Sequence, residues 1–345
     1  MEWNKGFTAS YYGMTVDPST WADQTRFEII GGMVERELNS LRTSADIDVT
    51  EYDVGASEQV QRIAPERYIR IYLDAFQNGD GAHVPVFTGL ATTPARNWKG
   101  YHEENRLECF SVLKPCDDIL LQRGWYVPAG LKLDNIFKNL LSYTPAPVEI
   151  ADGMKGLESA IIAEDSETAL SMIDKMLEAL NWRIRLLGDG TIRVEPKPTE
   201  ASIQYDANEN DGIEPEVTVD SDWYELPNVF RAISEDLVAI ARDEDPTSPL
   251  SIQARGREVW AQETNADLDE NESIAAYAAR RLKEEQNKAR TITYTRAFNP
   301  DLMVGDLVRF HYPAQQIDGV FSITKQSIQL GHGASTQEEV KDETN

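Results

Sequence analysis

Cysteine and histidine are scarce in this chain. The only cysteines are Cys109 and Cys116. No CxxC pair occurs, which excludes a zinc knuckle or a dithiol redox motif. Cys109 lies in the strand-like run Leu107-Glu-Cys-Phe-Ser-Val-Leu and Cys116 follows Pro115, so both are expected as buried free thiols. His83, His102, His311 and His332 form no HExxH or paired-ligand spacing. No metal and no cofactor is expected. Long apolar runs are missing too. None approaches the roughly 20 residues of a membrane span, and Met1-Glu-Trp-Asn-Lys-Gly lacks the basic start and apolar stretch of a signal peptide. Synthesis in the cytosol is the expectation. Positive charge is deficient: 33 Lys and Arg stand against 59 Asp and Glu, a formal net charge of −26. A general nucleic-acid binder needs cations to neutralise phosphates, so tight binding is not expected. The acidic excess serves solubility and mutual repulsion, or forms a wall past which DNA slides without sticking.

Catalytic signatures are absent as well. There is no GxSxG elbow, no GxxxxGK[ST] loop and no strand-to-helix GxGxxG. Gly188-Asp-Gly lies between two predicted strands and reads as a hairpin turn. Among 59 carboxylates, pairs spaced for glycoside hydrolysis must arise by chance, so none stands out. The chain is read as a non-enzyme, with no catalytic, cofactor-binding or metal residues assigned.

The chain's 345 residues, 27% charged and 41% apolar, make a globular protein of two to four modules. Its pattern predicts an α+β, mostly β fold in five stretches. Residues 1–125 are strand-rich. Arg67-Tyr-Ile-Arg-Ile-Tyr-Leu-Asp-Ala-Phe puts Ile69, Ile71, Leu73 and Ala75 on one face, with period two. Asn78-Gly-Asp-Gly turns the chain into a returning strand from His83. Thr25–Ile30, Ile47–Tyr52 and Leu107–Leu113 add strands, and Gly31-Gly32 marks a bend or bulge. Many short strands with turn signals point to a barrel or sandwich.

Residues 126–198 form a helix-plus-hairpin α/β unit. Leu133, Ile136, Phe137, Leu140 and Leu141 share one helical stripe. A second helix, capped at Asp165-Ser166, buries Leu170, Ile173, Met176, Leu177 and Leu180 as core. Trp182–Leu187 and Thr191–Pro196 then make the hairpin. Residues 199–222 read as an acidic linker: from Glu200 to Glu225 there are nine acidic side chains and no basic one. The closing Glu of a calcium loop does not line up there.

Residues 223–335 return to strands, interrupted by one helix over 272–289. Asp269 and Glu272 suggest its capping box, and Ile274, Tyr277, Ala278 and Leu282 its inner face. Arg280, Arg281, Lys283, Lys288 and Arg290 weight its C-terminal half, interleaved with Glu284 and Glu285 as on a solvated face. Residues 336–345 are read as a frayed tail.

The order of these pieces resembles the baseplate hub proteins of contractile phage tails and the tail-tip proteins of long flexible tails. Four places carry the resemblance: Ile30-Gly-Gly with Arg36-Glu-Leu-Asn-Ser-Leu-Arg-Thr-Ser-Ala; Val127-Pro-Ala-Gly-Leu-Lys-Leu-Asp-Asn-Ile-Phe; the helix and hairpin from Ala169 to Pro196; and Pro300-Asp-Leu-Met-Val-Gly-Asp-Leu-Val with Phe321-Ser-Ile and Ser-Ile-Gln-Leu. The resemblance implies two tube-type β-barrel domains, here 1–125 and 223–335, flanking the middle unit. It implies a homotrimer whose pseudo-six-fold ring mates with the hexameric tail tube, holds a spike or fibre and lets DNA pass. The implied partners are other copies of this chain, the tail tube protein, the spike or fibre, neighbouring baseplate proteins and the tape measure protein. The implied location is the virion. The chain's end just past its second strand-rich region suits a compact hub. Two other classes stay open: a tail-associated cell-wall hydrolase, and a carbohydrate-binding β module favoured by seven Trp, although Trp3, Trp21, Trp98, Trp125, Trp182, Trp223 and Trp260 are scattered as core or interface anchors are.

Overall fold

A computed structural model describes residues 3, 7–38, 43–49, 67–92, 95–99, 102–199, 203–208, 213–221, 223–234, 237–264, 273–287, 290–312, 317–331 and 335–342. It is mostly β. The N-terminal region supplies β1 (Thr8–Val16), β2 (Asp23–Glu37), β3 (Ser44–Val49), β4 (Arg67–Gln77), β5 (Asp80–Ala91), β6 (Ala95–Lys99) and β7 (His102–Ser111). Pairing runs β1–β4–β5–β7–β3–β2 and returns from β2 to β1, so these strands close a cycle, with β6 paired to β7 outside it. The alternation in β4 sets the inside: Ile69, Ile71, Leu73 and Ala75 are fully buried, with Ile47, Phe87 and Leu107 from neighbouring strands. Asn78 and Gly79, at φ 52° and 93°, form the two-residue turn whose twist matches the hairpin β4–β5.

The middle region holds α1 (Lys114–Asp117), β8 (Tyr126–Val127), α2 (Asp134–Leu141), β9 (Val148–Ile150), β10 (Ile161–Ile162), α3 (Ala169–Leu180), β11 (Trp182–Leu186) and β12 (Ile192–Pro196). The predicted stripes of α2 and α3 meet in one apolar core with Val127, Trp182, Ile192 and Val194. The cap of α3 is not Asp165-Ser166 but Thr168. Its hydroxyl accepts from Ser171 N at 3.1 Å, and Ser171 Oγ accepts from Thr168 N, a reciprocal box that offsets two orphan donors.

Two expectations fail in the second half. The acidic stretch 199–222 is not a connector: it contributes β13 (Tyr205–Asn208) and β14 (Ile213–Ser221). Nor is the expected tail frayed over its described residues, since β21 (Ser335–Asp342) pairs on both edges. With β18 (Arg290–Ala297), β19 (Leu307–Tyr312) and β20 (Ile317–Gln329) they form the run β13–β19–β20–β21–β18–β14. Tyr294, Val308, Phe310, Phe321, Ile323 and Val340 fill its core.

The stretch 223–335 is also not one strand-rich piece. Between β14 and β18 lies an insertion: β15 (Val229–Ser234), β16 (Leu237–Arg242), α4 (Ile252–Arg255), β17 (Trp260–Thr264) and α5 (Ile274–Asn287). Its sheet has the order β16–β15–β17, and α5 packs Tyr277, Ala278 and Leu282 on Phe230 and Ala232. The cap suggested at Asp269 lies outside the described residues; Ser273 Oγ accepts from Ala276 N at 3.2 Å instead. The insertion separates β14 in sequence from the strand it pairs with, which is why the two sheets looked like one domain.

Candidate functional site

The two large strand systems are one sheet, joined where β2 meets β20. The N-terminal half of β2 pairs with β1 through Asp23–Glu28, and its C-terminal half pairs with β20 through Met33–Glu37. The predicted bend at Gly31-Gly32 makes this possible. The register against β3 shifts between Ile29 and Gly31, and Gly32 takes φ 128° with Asp46 O only 2.2 Å from where a Cβ would sit. No residue but glycine fits there.

Behind this seam runs a row of buried polar side chains. In register across β2, β20, β21 and β18 stand Arg36, Gln326, Glu338 and Tyr294, with Arg296 beside them. Glu338 is fully buried. It accepts from Arg296 Nε at 2.8 Å and Nη2 at 2.5 Å, from Tyr294 Oη at 2.5 Å and from Gln326 Nε2 at 2.6 Å. Burial alone would raise the Glu338 carboxyl, but the Arg296 guanidinium and these donors overcome it and hold the carboxyl below its ordinary value. Burial and then the Glu338 charge push the Tyr294 phenol well up. Arg36, 4% exposed, donates to Gln326 Oε1 at 3.3 Å and to Val86 O inside the first strand cycle.

The hairpin β11–β12 crosses the seam and ties down both sides. Its turn rests on the N-terminal cycle: Asp189 O accepts from Trp21 Nε1 and Arg70 Nη2, each at 2.9 Å, and Gly188 O accepts from Thr88 Oγ1 at 2.8 Å. A Cβ on Gly188 would lie 1.8 Å from Pro85 O, so this close approach requires glycine. Its first strand grips the other sheet. Asp306, fully buried, accepts from Arg183 Nη2 at 2.9 Å, lies 3.1 Å from Arg185 Nη2 and accepts from Met303 N at 2.9 Å. Arg183 also donates to Glu195 on β12 at 2.7 Å. The predicted turn is therefore a docking element, and what the site does chemically is fix geometry.

The expected basic and reactive residues fall elsewhere. Arg281 of α5 pairs with Glu263 at 3.0 Å and Glu285 at 3.3 Å, and Arg280 stacks over its own helix's Tyr277 ring. Lys283 is exposed, while Lys288 lies outside the described residues. Cys109 and Cys116 are buried free thiols, and burial pushes both up, Cys116 to about 11, away from the reactive thiolate. Among the described residues no three His, Cys, Asp or Glu side chains are arranged to hold a metal ion. Sequence reasoning missed Arg36, Arg296, Asp306 and Glu338. Their one signal was charged residues at inward positions of period-two runs, legible only once the register is known.

The other face of the seam carries more acidic than basic side chains. Glu108 opposes Asp46 on β7 and β3; Glu35 and Glu37 follow on β2, Lys325 on β20 and Glu339 on β21. Lys325 lies 3.7 Å from both Glu35 and Glu37, and Arg106 pairs with Asp46 at 2.9 Å.

This fold is similar to that of solved phage tail proteins. The chain superposes on a tail protein from Neisseria meningitidis MC58 with a TM-score of 0.66 at 15% identity, covering 98% of this chain and 97% of that one. It superposes on the 43 kDa tail protein of prophage MuSo2 from Shewanella oneidensis with a TM-score of 0.64 at 13% identity, covering 97% and 98%. The chain also spans 59% of a chain in a Francisella PdpA–VgrG complex, at 9% identity and a TM-score of 0.62. No protein-family model and no curated protein matches the sequence.

Proposed function

We propose that this chain is a non-enzymatic structural subunit of a phage-type tail, forming the hub at the distal end of the tail tube. The observation that carries this reading is the seam: one chain contributes two six-strand systems joined edge to edge through β2 and β20 and locked from behind by the hairpin. Three such chains supply six comparable elements, as a ring facing a hexameric tube requires. In this reading the N-terminal cycle and the β13–β14, β18–β21 system are the two tube-type domains. The middle unit braces them, and the α5 insertion is free to meet a spike, fibre or neighbouring baseplate protein. The acidic face of the seam suits a channel wall, because each phosphate neutralised by Lys or Arg would add a grip to be broken during DNA passage.

The experiment is light scattering of the purified protein over a concentration series, with negative-stain microscopy of the protein and of tail particles carrying it. The expected result is a three-fold ring. A strict monomer together with no three-fold density in assembled particles would sink the reading. The same particles test the wall: Arg280, Arg281, Lys283 and Lys288 are expected away from the bore.

A further inference from the structure

A cleft of about 790 Å³ opens beside the seam, between the end of β2, the end of α3, the hairpin and the loop before β19. Its walls are not electrically balanced. Arg36, Arg183, Arg185 and Lys197 line it against Glu37, Asp174 and Glu178, four cations to three anions, and a second layer of ion pairs lies behind this lining. Arg296 belongs to Glu338, and Arg183 and Arg185 share Asp306 and Glu195. Arg36 donates to the neutral oxygens of Gln326 and Val86, and Glu338, one strand beyond Gln326 and already paired with Arg296, supplies part of its counter-charge. Arg36 and Arg183 both line the cleft, and Arg183 Nη1 is buried with no hydrogen-bond partner. Gly305, at φ 81°, leaves Arg183 this room: a Cβ there would lie 2.8 Å from Nη1.

A buried guanidinium without an anion is costly, as is a buried donor left unmade. Fixed geometry raises that cost, since Arg36 heads the row on a paired strand and is only 4% exposed. We propose that this cleft is an anion-binding site, with Arg36 and the free Nη1 of Arg183 as its recognition groups and a carboxylate or phosphate as its ligand. Lys197 adds a positive charge at the lining. Asp174 and Glu178 on α3, and Glu37 at the end of β2, are the opposing acidic lining, and Glu37 is already paired with Lys325. The anion therefore sits on the arginine wall, away from α3. Burial, and then the charge of Arg185, hold the Arg36 guanidinium down at about 10 although the Glu338 charge works in the other direction.

The test is thermal unfolding of the full chain at pH 7 in sodium phosphate, sodium acetate and sodium chloride at matched ionic strength, with phosphorus-31 NMR titration of phosphate against the protein. A saturable Tm rise of about 2 °C or more over chloride is expected, with phosphate line broadening that saturates near one anion per chain. Saturation by both anions assigns a site for any small oxyanion; saturation by acetate alone assigns a carboxylate, the form an acidic protein segment would present. Arg36→Met should unfold no lower than the native chain in chloride and should lose the anion-dependent rise. Identical Tm in all three salts without saturable broadening, or an equal rise in R36M, overturns the proposal. Should R36M not fold, the native chain's NMR titration decides alone.

Discussion

The two strand systems are built on opposite principles. The N-terminal cycle is filled with hydrocarbon, with Ile47, Ile69, Ile71, Leu73, Phe87 and Leu107 buried inside it. The second system buries a comparable apolar set but adds, at its edge with the first, Arg296, Glu338, Gln326 and the partner-strand Arg36. Hydrocarbon packing tolerates exchange of one apolar side chain for another of similar volume, whereas a buried ion pair is satisfied by its own partner only. The apolar half thus supplies stability, and the ionic row fixes how the halves meet. In the hub proposed above the second property matters as much as the first, because error at the join would propagate around the proposed ring.

The largest expected effect tests the ionic side. Glu338→Ala leaves Arg296 buried without its partner and should cost about 3–5 kcal/mol in chemical denaturation. The double variant R296M/E338L should recover most of that loss, since apolar replacements remove both desolvation penalties. If it does, the row serves specificity, and the seam rather than the fold should suffer. Acid should mimic the single variant. A carboxyl held below its ordinary value contributes stability that is present above the unfolded value near 4.5 and is lost as pH falls through the folded one. An E338A loss below about 1 kcal/mol would erase the contrast between the halves.

On the hydrocarbon side, Leu73→Ala should cost about 3 kcal/mol, within the range for a fully buried leucine. No pH dependence should accompany it. Equal L73A losses at pH 4 and pH 7 would sharpen the comparison; a loss confined to one pH would show that the cycle too depends on ionised groups.

The middle unit lies between these extremes, and Asp174 shows it. Burial, then Asp117 and Glu178, raise this carboxyl to about 6. A raised carboxyl pKa destabilises the folded state wherever the group must ionise, so the penalty is absent below about 4 and complete above about 6. Asp174→Asn should therefore be more stable than the native chain at pH 8 by about 1 kcal/mol, after allowing for partial solvent exposure. The gap should close at pH 4, as read by urea unfolding at both values. A D174N gain that is the same at both pH values would refute ionisation as the cause.

The apolar half was legible in the sequence and the ionic half was not. The β4 alternation, the Asn78-Gly79 turn, the bend at Gly31-Gly32 and the stripes of α2 and α3 follow from periods that local chemistry imposes. Ile213-Glu-Pro-Glu-Val-Thr-Val-Asp also alternates, yet its acidic composition outweighed its period and the segment read as a linker. The tail failed for the same reason: Glu338-Glu339-Val340-Lys341 looks solvated until Tyr294 is placed opposite Glu338, with Arg296 beside it. Charge density measures how a segment meets water when alone. It says nothing about a counter-charge 42 residues away in sequence, and the insertion between β14 and β18 hid which strands would be neighbours. The seam was out of reach because it depends on pairing between residues near 35 and near 327.

The smallest effect expected is in the acidic strands themselves. Asp206 on β13 is exposed and lies 3.9 Å from an exposed Arg309, and Asp220 on β14 is also exposed. Both carboxylates remain solvated in the folded chain, and a surface pair at that separation contributes little after side-chain ordering and salt screening. Asp206→Asn and Asp220→Asn should each change stability by no more than about 0.5 kcal/mol. This small effect separates two reasons for the segment's composition. If its carboxylates hold the strands in place, through an ion or a partner charge, neutralising them should lower Tm sharply. If backbone pairing to β18 and β19 holds the strands and the charge only faces water, Tm should barely move while the surface becomes less negative. Scanning calorimetry of the two variants with and without calcium decides between them, and the ladders of β13 with β19 and β14 with β18 favour the second. A calcium-dependent Tm rise in the native chain that D206N or D220N abolishes would show that these carboxylates bind an ion after all.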